Sequence, residues 1–191
     1  MQLPKNKDSF AQQLDCWALK FGFWYIHDNM THDAYLALGT NLGNRIHNFR
    51  AALSLLSPDF EWVAVSRVYE TPPWGFADQP AFLNMVVHAR TDLEPEALLR
   101  TLKQAEVQIG REHTFRWGPR LIDLDILFYD DLVLDTPPLV IPHPRLHERA
   151  FVLVPLMDIA PDLMHPTLGK TIRDLLTTVD ASGIALFDEQ I

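Results

Sequence analysis

Residues 121–129 alternate in character. Ile122, Leu124 and Ile126 fall on one side of the chain, and Asp123, Asp125 and Leu127 on the other. A period of two marks a strand, because successive side chains of extended backbone point to opposite faces. This stretch therefore belongs to a sheet with one packed face and one face presenting two carboxylates side by side. Asp is poorly suited to strands, so two so close together need a reason.

The flanking segments decide what kind of sheet. A short apolar strand at 34–38 runs into Gly39-Thr40-Asn41, a turn carrying helix-capping residues. A helix is expected at 45–56, with Ile46, Phe49, Leu53 and Leu56 on one face, stopped by Ser57-Pro58-Asp59. Val63, Val65 and Val68 mark residues 61–70 as a strand. Thr71-Pro72-Pro73-Trp74-Gly75 reads as a rigid loop, since two prolines fix φ and remove donors. Residues 81–89 form another apolar strand. Pro95 opens a second helix at its tolerated first turn, and Gly110 closes it. A polar loop spans 111–119, a proline-rich segment 136–144, and short helices 151–160 and 170–177. Strands and helices mix without strict βαβ alternation, which favours an α+β sheet with helices over its faces.

Residues 1–32 differ from the rest. Phe10, Leu14, Trp17, Ala18 and Phe21 show helical spacing, then the pattern blurs before Met30. They are read as an N-terminal extension, either a real one whose aromatic face packs on the domain or the product of an upstream start with the true start at Met30, the second reading being slightly favoured, and residues 33–191 as the functional domain. The N-terminus is too polar for a secretory leader, and no apolar run approaches the roughly 20 residues that span a membrane. With a single cysteine, Cys16, the chain holds no internal disulfide and is expected in the cytoplasm, without membrane association.

The net charge of −9 argues against non-specific nucleic-acid binding. Residues 98–120 nevertheless carry Arg100, Lys103, Arg111, Arg116 and Arg120 against only Glu106 and Glu112. A bare Asp-x-Asp is more often an ordinary half-exposed strand, and a lone basic run is more often a solvated face. Together they make the two halves of a polyphosphate site. Carboxylates hold Mg²⁺, and guanidinium forks grip phosphate oxygens. No Walker-type glycine loop is present. No Ser-His-Asp or Cys-His arrangement calls for covalent catalysis. Trp117 in the basic loop and Trp74 behind two prolines offer rings for a flat heterocycle, with Phe82 and Phe151 as further candidates. Asn84 is the odd polar residue in an apolar strand, and a buried amide must find partners. His143 is held between Pro142 and Pro144, near Arg145 and Arg149.

These residues resemble the 6-hydroxymethyl-7,8-dihydropterin pyrophosphokinase family of folate biosynthesis, over residues 34–176. The motifs are Ala34-Tyr-Leu-Ala-Leu-Gly-Thr-Asn-Leu-Gly43, Tyr69-Glu-Thr-Pro-Pro-Trp-Gly75, Gln79-Pro-Ala-Phe-Leu-Asn84, Glu106 with Gly110-Arg111, the stretch from Arg116 to Leu127, and Pro142-His143 leading to Arg149-Ala-Phe151. The resemblance implies a ferredoxin-like α+β fold, with a central antiparallel sheet, helices on both faces and mobile active-site loops. It implies pyrophosphate transfer from ATP to the hydroxymethyl group of the pterin, releasing AMP, by a monomer acting on small molecules.

It further implies two Mg²⁺ ions on Asp123 and Asp125, and phosphate-contacting catalytic arginines at Arg120 and Arg111. Pterin contacts are implied at Thr71, Pro72, Trp74, Phe82, Asn84, Trp117 and Phe151. ATP contacts are implied at Lys103, Glu106, Arg116, Ile126 and His143. Three positions depart from the family pattern. Phe82 stands where Tyr is frequent, Pro144 follows the His where an aromatic is common, and the loop from Arg111 to Trp117 is short. The competing readings are another Asp-x-Asp phosphotransferase or hydrolase, and a silent nucleotide- or pterin-binding module. Neither accounts for all the motifs: the first leaves the rings and Asn84 unexplained, the second the intact Asp and Arg set.

Overall fold

A computed structural model describes residues 31–73, 75–112, 118–189 and 191. The N-terminal extension read at 1–32, except its last two residues, lies outside them, as do Trp74, Arg116 and Trp117.

The central sheet has six strands, all antiparallel. These are β1 (His32–Thr40), β2 (Glu61–Val65), β3 (Tyr69–Thr71), β4 (Phe82–Thr91), β5 (Asp123–Tyr129) and β8 (Ala185–Leu186). Their order is β5-β1-β4-β3-β8, with β2 also pairing β4. A separate ribbon joins β6 (Leu134–Thr136) to β7 (Leu139–Ile141). Helices α1 (Arg45–Leu56) and α2 (Pro95–Ile109) cover one face of the sheet, and α3 (Ala150–Ile159) and α4 (Ile172–Leu176) cover the other. The expected α+β architecture with helices on both faces is what is found.

Two apolar clusters explain the layering. Leu36 and Leu38 of β1 and Leu124 and Ile126 of β5 meet Phe49 of α1 and Leu98 and Leu102 of α2. Val86, Leu127 and Phe128 meet Val152, Leu153 and Leu156 of α3 and Ile172 of α4 on the opposite face. Each fully buried Leu or Phe contributes about 1.5–3 kcal/mol.

Local chemistry sets the ends of the helices. The cap of α1 is Asn44, whose side chain accepts from the His47 amide at 3.0 Å. Asn41, read from sequence as part of a capping turn, does other work. Helix α2 begins at Pro95 and ends at Gly110, whose φ of 100° lies in the left-handed region that glycine tolerates. That turn sends Arg111 back across the end of the sheet.

Two strands differ from expectation. The stretch 61–70 is interrupted at Ser66, whose hydroxyl accepts from the Val86 amide at 2.9 Å, so β2 and β3 each pair with part of β4. Along β5 the register against β1 shifts between Tyr35 and Leu36, leaving Leu127 as an extra residue. The alternation holds through Leu127, and the extra residue then puts Phe128 beside Leu127 in the second cluster.

Candidate active site

Asp123 and Asp125 point to the α3 face of the sheet, opposite Leu124 and Ile126 in the core. The neighbouring strand β1 places Gly39 beside Asp123 and Ala37 beside Asp125, and β4 places Asn84 on the far side of Gly39. Small residues in the middle strand thus floor a cleft, with carboxylates at one wall and an amide at the other. A methyl group on Gly39 would meet Asn84 Oδ1 at 3.2 Å. The alternation Leu36-Ala37-Leu38-Gly39, large residues in the core and small ones under the cleft, is a sequence signal for this floor that the motif reading passed over.

The cleft brings together Thr71, Pro72, Phe82, Asn84, Arg120, Asp123, Asp125 and Phe151, eight of the residues expected in the site. Phe82 opens β4, and Phe151 lies in the first turn of α3. Asn84 is buried and donates from Nδ2 to the Thr71 hydroxyl at 2.7 Å, in a polar pair sunk in an apolar sheet.

Four cations surround the carboxylates. Arg120 Nη1 donates to Asp123 Oδ2 at 2.6 Å, and Arg111 Nη1 to Asp123 Oδ1 at 2.6 Å. Lys103 Nζ and Arg149 Nη1 each stand 3.9 Å from a different oxygen of Asp125. The two acids therefore diverge. Burial pushes Asp123 up, but Arg120, Arg111 and Lys103 outweigh it and hold the carboxyl below its ordinary range. Burial and the Asp123 charge push Asp125 up, and the more distant Lys103 and Arg149 offset this only in part.

Glu106 is 3% exposed and is occupied within the protein. It accepts from Lys103 Nζ at 2.8 Å and the Leu124 amide at 2.7 Å, and it pairs with Arg111. These bonds tie it to two of the cations beside Asp123 and Asp125. Ile126, expected to touch ATP, is 4% exposed and lies in the core under α1 and α2. The strand period turns its side chain away from the cleft, so any nucleotide contact there is confined to its main chain.

His143 sits behind Arg149, with Nε2 3.4 Å from Arg149 Nη1. Burial and then the Arg149 charge lower its pKa to about 4. Arg149 itself was noted in sequence as a neighbour of His143 and as part of the motif ending at Phe151, but was given no role. It lines the cleft, with its guanidinium carbon 5.5 Å from the Phe151 ring centre. Arg120 stands 6.0 Å from the Phe82 ring centre in the same way. Each ring is thus paired with a cation from the acid-lined wall.

The donor set suits a hard cation only with help. Two carboxylates sit on one face, one of them held by repulsion from its neighbour, and among the described residues no group of three or more His, Cys, Asp or Glu could hold a metal ion. A Mg²⁺ ion bound here would complete its shell with water and substrate oxygens.

Comparison with known proteins agrees with this chemistry. Residues 35–161 match the family model described as 7,8-dihydro-6-hydroxymethylpterin-pyrophosphokinase (HPPK). A protein of Aquifex aeolicus named 2-amino-4-hydroxy-6-hydroxymethyldihydropteridine pyrophosphokinase is 44% identical over 140 residues, covering 73% of this chain and 88% of its own length. The folic acid synthesis protein FOL1 of Dictyostelium discoideum is 45% identical over 149 residues, covering 78% of this chain and 23% of that much longer protein. In structure, the wild-type HPPK-DHPS of Plasmodium falciparum superimposes with a TM-score of 0.64 at 19% identity, over 78% of this chain and 44% of that one.

Proposed function

The chain belongs to the 7,8-dihydro-6-hydroxymethylpterin-pyrophosphokinase family, and from that membership we propose how its cleft divides the work of the reaction. The enzyme transfers pyrophosphate from ATP to hydroxymethyldihydropterin, a step of folate biosynthesis. The arrangement supporting this division is the Gly39 floor, with a hydrogen-bonded amide on one side and paired carboxylates under arginines on the other.

In this reading the pterin lies between Phe82 and Phe151. Asn84, oriented by Thr71, meets the polar edge of the heterocycle, and Pro72 packs beside it. Trp74 and Trp117, which lie outside the described residues, are proposed as further ring contacts to the pterin. Asp123 and Asp125 would hold two Mg²⁺ ions, which would supply positive charge to neutralise the polyphosphate. Arg120 and Arg111 stabilise the charge that develops on the transferred group. Lys103 and Arg116 approach the nucleotide directly, while Glu106 acts through Lys103 and Arg111. His143 remains neutral and supports Arg149. The hydroxymethyl oxygen bonds to the β-phosphorus of ATP as the bond from that phosphorus to the α–β bridging oxygen breaks, AMP leaves with that oxygen, and the hydroxyl proton is released to water. Residues 33–191 form the catalytic domain, acting as a monomer on small molecules. The single cysteine and the need for ATP support a cytoplasmic location. Among the described residues no helix is long and apolar enough to cross a membrane.

AMP release from ATP tests this assignment, measured with and without hydroxymethyldihydropterin and Mg²⁺. AMP formed only when both are present is the expected result. ADP or inorganic phosphate as product would overturn it.

A further inference from the structure

Asn41 is 2% exposed and uses both ends of its amide. Its Oδ1 accepts from the Arg120 amide at 2.8 Å, and its own backbone amide donates to the Arg120 carbonyl at 3.1 Å. From the other end, Nδ2 donates to the Pro80 carbonyl at 3.1 Å and to Gln79 Oε1 at 3.0 Å. The partners fix the amide's orientation, because the Arg120 amide can only donate and the Pro80 carbonyl can only accept.

The two segments so joined belong to different halves of the cleft. Arg120 carries the guanidinium bound to Asp123, on the phosphate side. Pro80 lies two residues before Phe82, the ring on the pterin side. The sheet ladder holds Phe82 and Asp123 in register through β3 and β1, but it stops short of Pro80 and Arg120, which precede β4 and β5 and are joined to each other through Asn41. Asn48, also buried, fixes the next residue by donating to the Leu121 carbonyl at 2.9 Å, but it has no contact to the Phe82 side.

We propose that Asn41 is a positioning residue that couples the two substrate half-sites, setting where the Arg120 guanidinium stands relative to the Phe82 ring. The inference rests on the division of the cleft given above. A misplacement of about 1 Å between reacting partners costs on the order of 100-fold in rate, without removing any group that touches substrate. The signature is a fall in kcat with little change in the affinity for either substrate alone.

A double-mutant cycle with Asn41→Ser and Arg120→Ala tests this, each variant assayed well below its own unfolding midpoint. Asn41→Ser is expected to lower kcat at least about tenfold in the parent, with each separate dissociation constant within about threefold. In the Arg120→Ala background the same change should cost less than about twofold, because Asn41 acts through Arg120. Losses that multiply across the cycle, or an Asn41→Ser enzyme as fast as the parent, would overturn the proposal. Should Asn41→Ser fail to fold, Asn41→Asp enters the same cycle, keeping the acceptor toward Arg120 and losing the donor toward Pro80. A parent that makes no pterin-dependent AMP would instead overturn the functional reading, so the two failures are distinguishable.

Discussion

Asp123 and Asp125 stand two residues apart on one strand, yet they play opposite parts in stability. Asp123 is bound by two guanidinium groups, whereas Asp125 bears the repulsion of its neighbour with cations only at 3.9 Å. Without metal, Asp123→Asn is expected to destabilise the fold by about 2 kcal/mol, since it leaves Arg111 and Arg120 short of a counter-charge. Asp125→Asn is expected to stabilise it, since a charge repelled by Asp123 disappears. Both should lower kcat/KM by more than about 100-fold if they hold the metal. Urea unfolding in the presence of chelator, beside the AMP assay, checks both signs. His143 offers a pH test. Its pKa is lowered from 6.5 to about 4 by burial and by Arg149, so the folded state resists a proton that the unfolded chain accepts. The stability this contributes is complete above pH 6.5 and is lost as pH falls from there through about 4. The ring proton signals in NMR should stay flat from about pH 8 to about pH 5.5, and His143→Asn should flatten the acid limb of the stability curve. The carboxylate pair was legible in sequence because strand period alone puts i and i+2 together. Arg149 was not, because it reaches Asp125 from another element, and no local spacing encodes that approach.

Elements differ in how much of their placement is local. Helices α1 and α2 follow their stop signals and apolar stripes, so their bounds were readable to the residue or nearly so. The break at Ser66 and the extra residue at Leu127 were not readable, because each is imposed by a partner strand: Val86 in one case, the β1 register in the other. β8 is two exposed residues with no pattern of its own, ordered by pairing with Tyr69 and Glu70. Helix α3 matters most to the site, since its first turn carries Phe151 and its cap is Arg149. Its far end is pinned by Asp158. That carboxylate accepts from the Tyr69 hydroxyl at 2.9 Å and the Arg67 backbone amide at 3.1 Å, and it pairs with the Arg67 guanidinium at 2.6 Å. Burial works against the charged form, but the Arg67 and Tyr69 hydrogen bonds prevail and hold the pKa below its ordinary value. The stability gained is therefore present above the usual carboxylate range and lost as pH falls through the lowered folded value. Asp158→Asn is expected to cost about 1–2 kcal/mol at neutral pH, with the gap to the parent closing in acid. A loosened α3 should also raise the KM for pterin more than that for ATP. Thermal melts at about pH 7 and pH 3, with both KM values, check these outcomes.

Across the unit Thr31–Ile191, stability and function occupy different parts of one sheet. The apolar clusters lie under α1 and α2 on one face and under α3 and α4 on the other, while the cleft opens where Gly39 and Ala37 leave the α3 face unfilled. Nothing in the core depends on a metal, because both sets of packed residues are apolar and close without the carboxylates. Chelator alone should therefore leave the unfolding transition in place, unlike a domain whose fold is its metal site. Bound nucleotide should act differently. Arg111, Arg120, Lys103 and Arg149 converge on two acids, so a polyphosphate would meet a surplus of positive charge, and Mg²⁺ would offset its repulsion from the carboxylates. A non-hydrolysable ATP analogue with Mg²⁺ at about 100 times its dissociation constant should add about 2.7 kcal/mol by linkage. The same analogue with chelator should add much less, because Asp123 and Asp125 then face phosphate charge directly. In Asp125→Asn the advantage of Mg²⁺ over chelator should shrink, even though that variant starts from the more stable apo form. Thermal shift across this grid of analogue, Mg²⁺ and chelator separates a metal-bridged nucleotide site from a simple basic one, for which Mg²⁺ would make no difference in parent or variant.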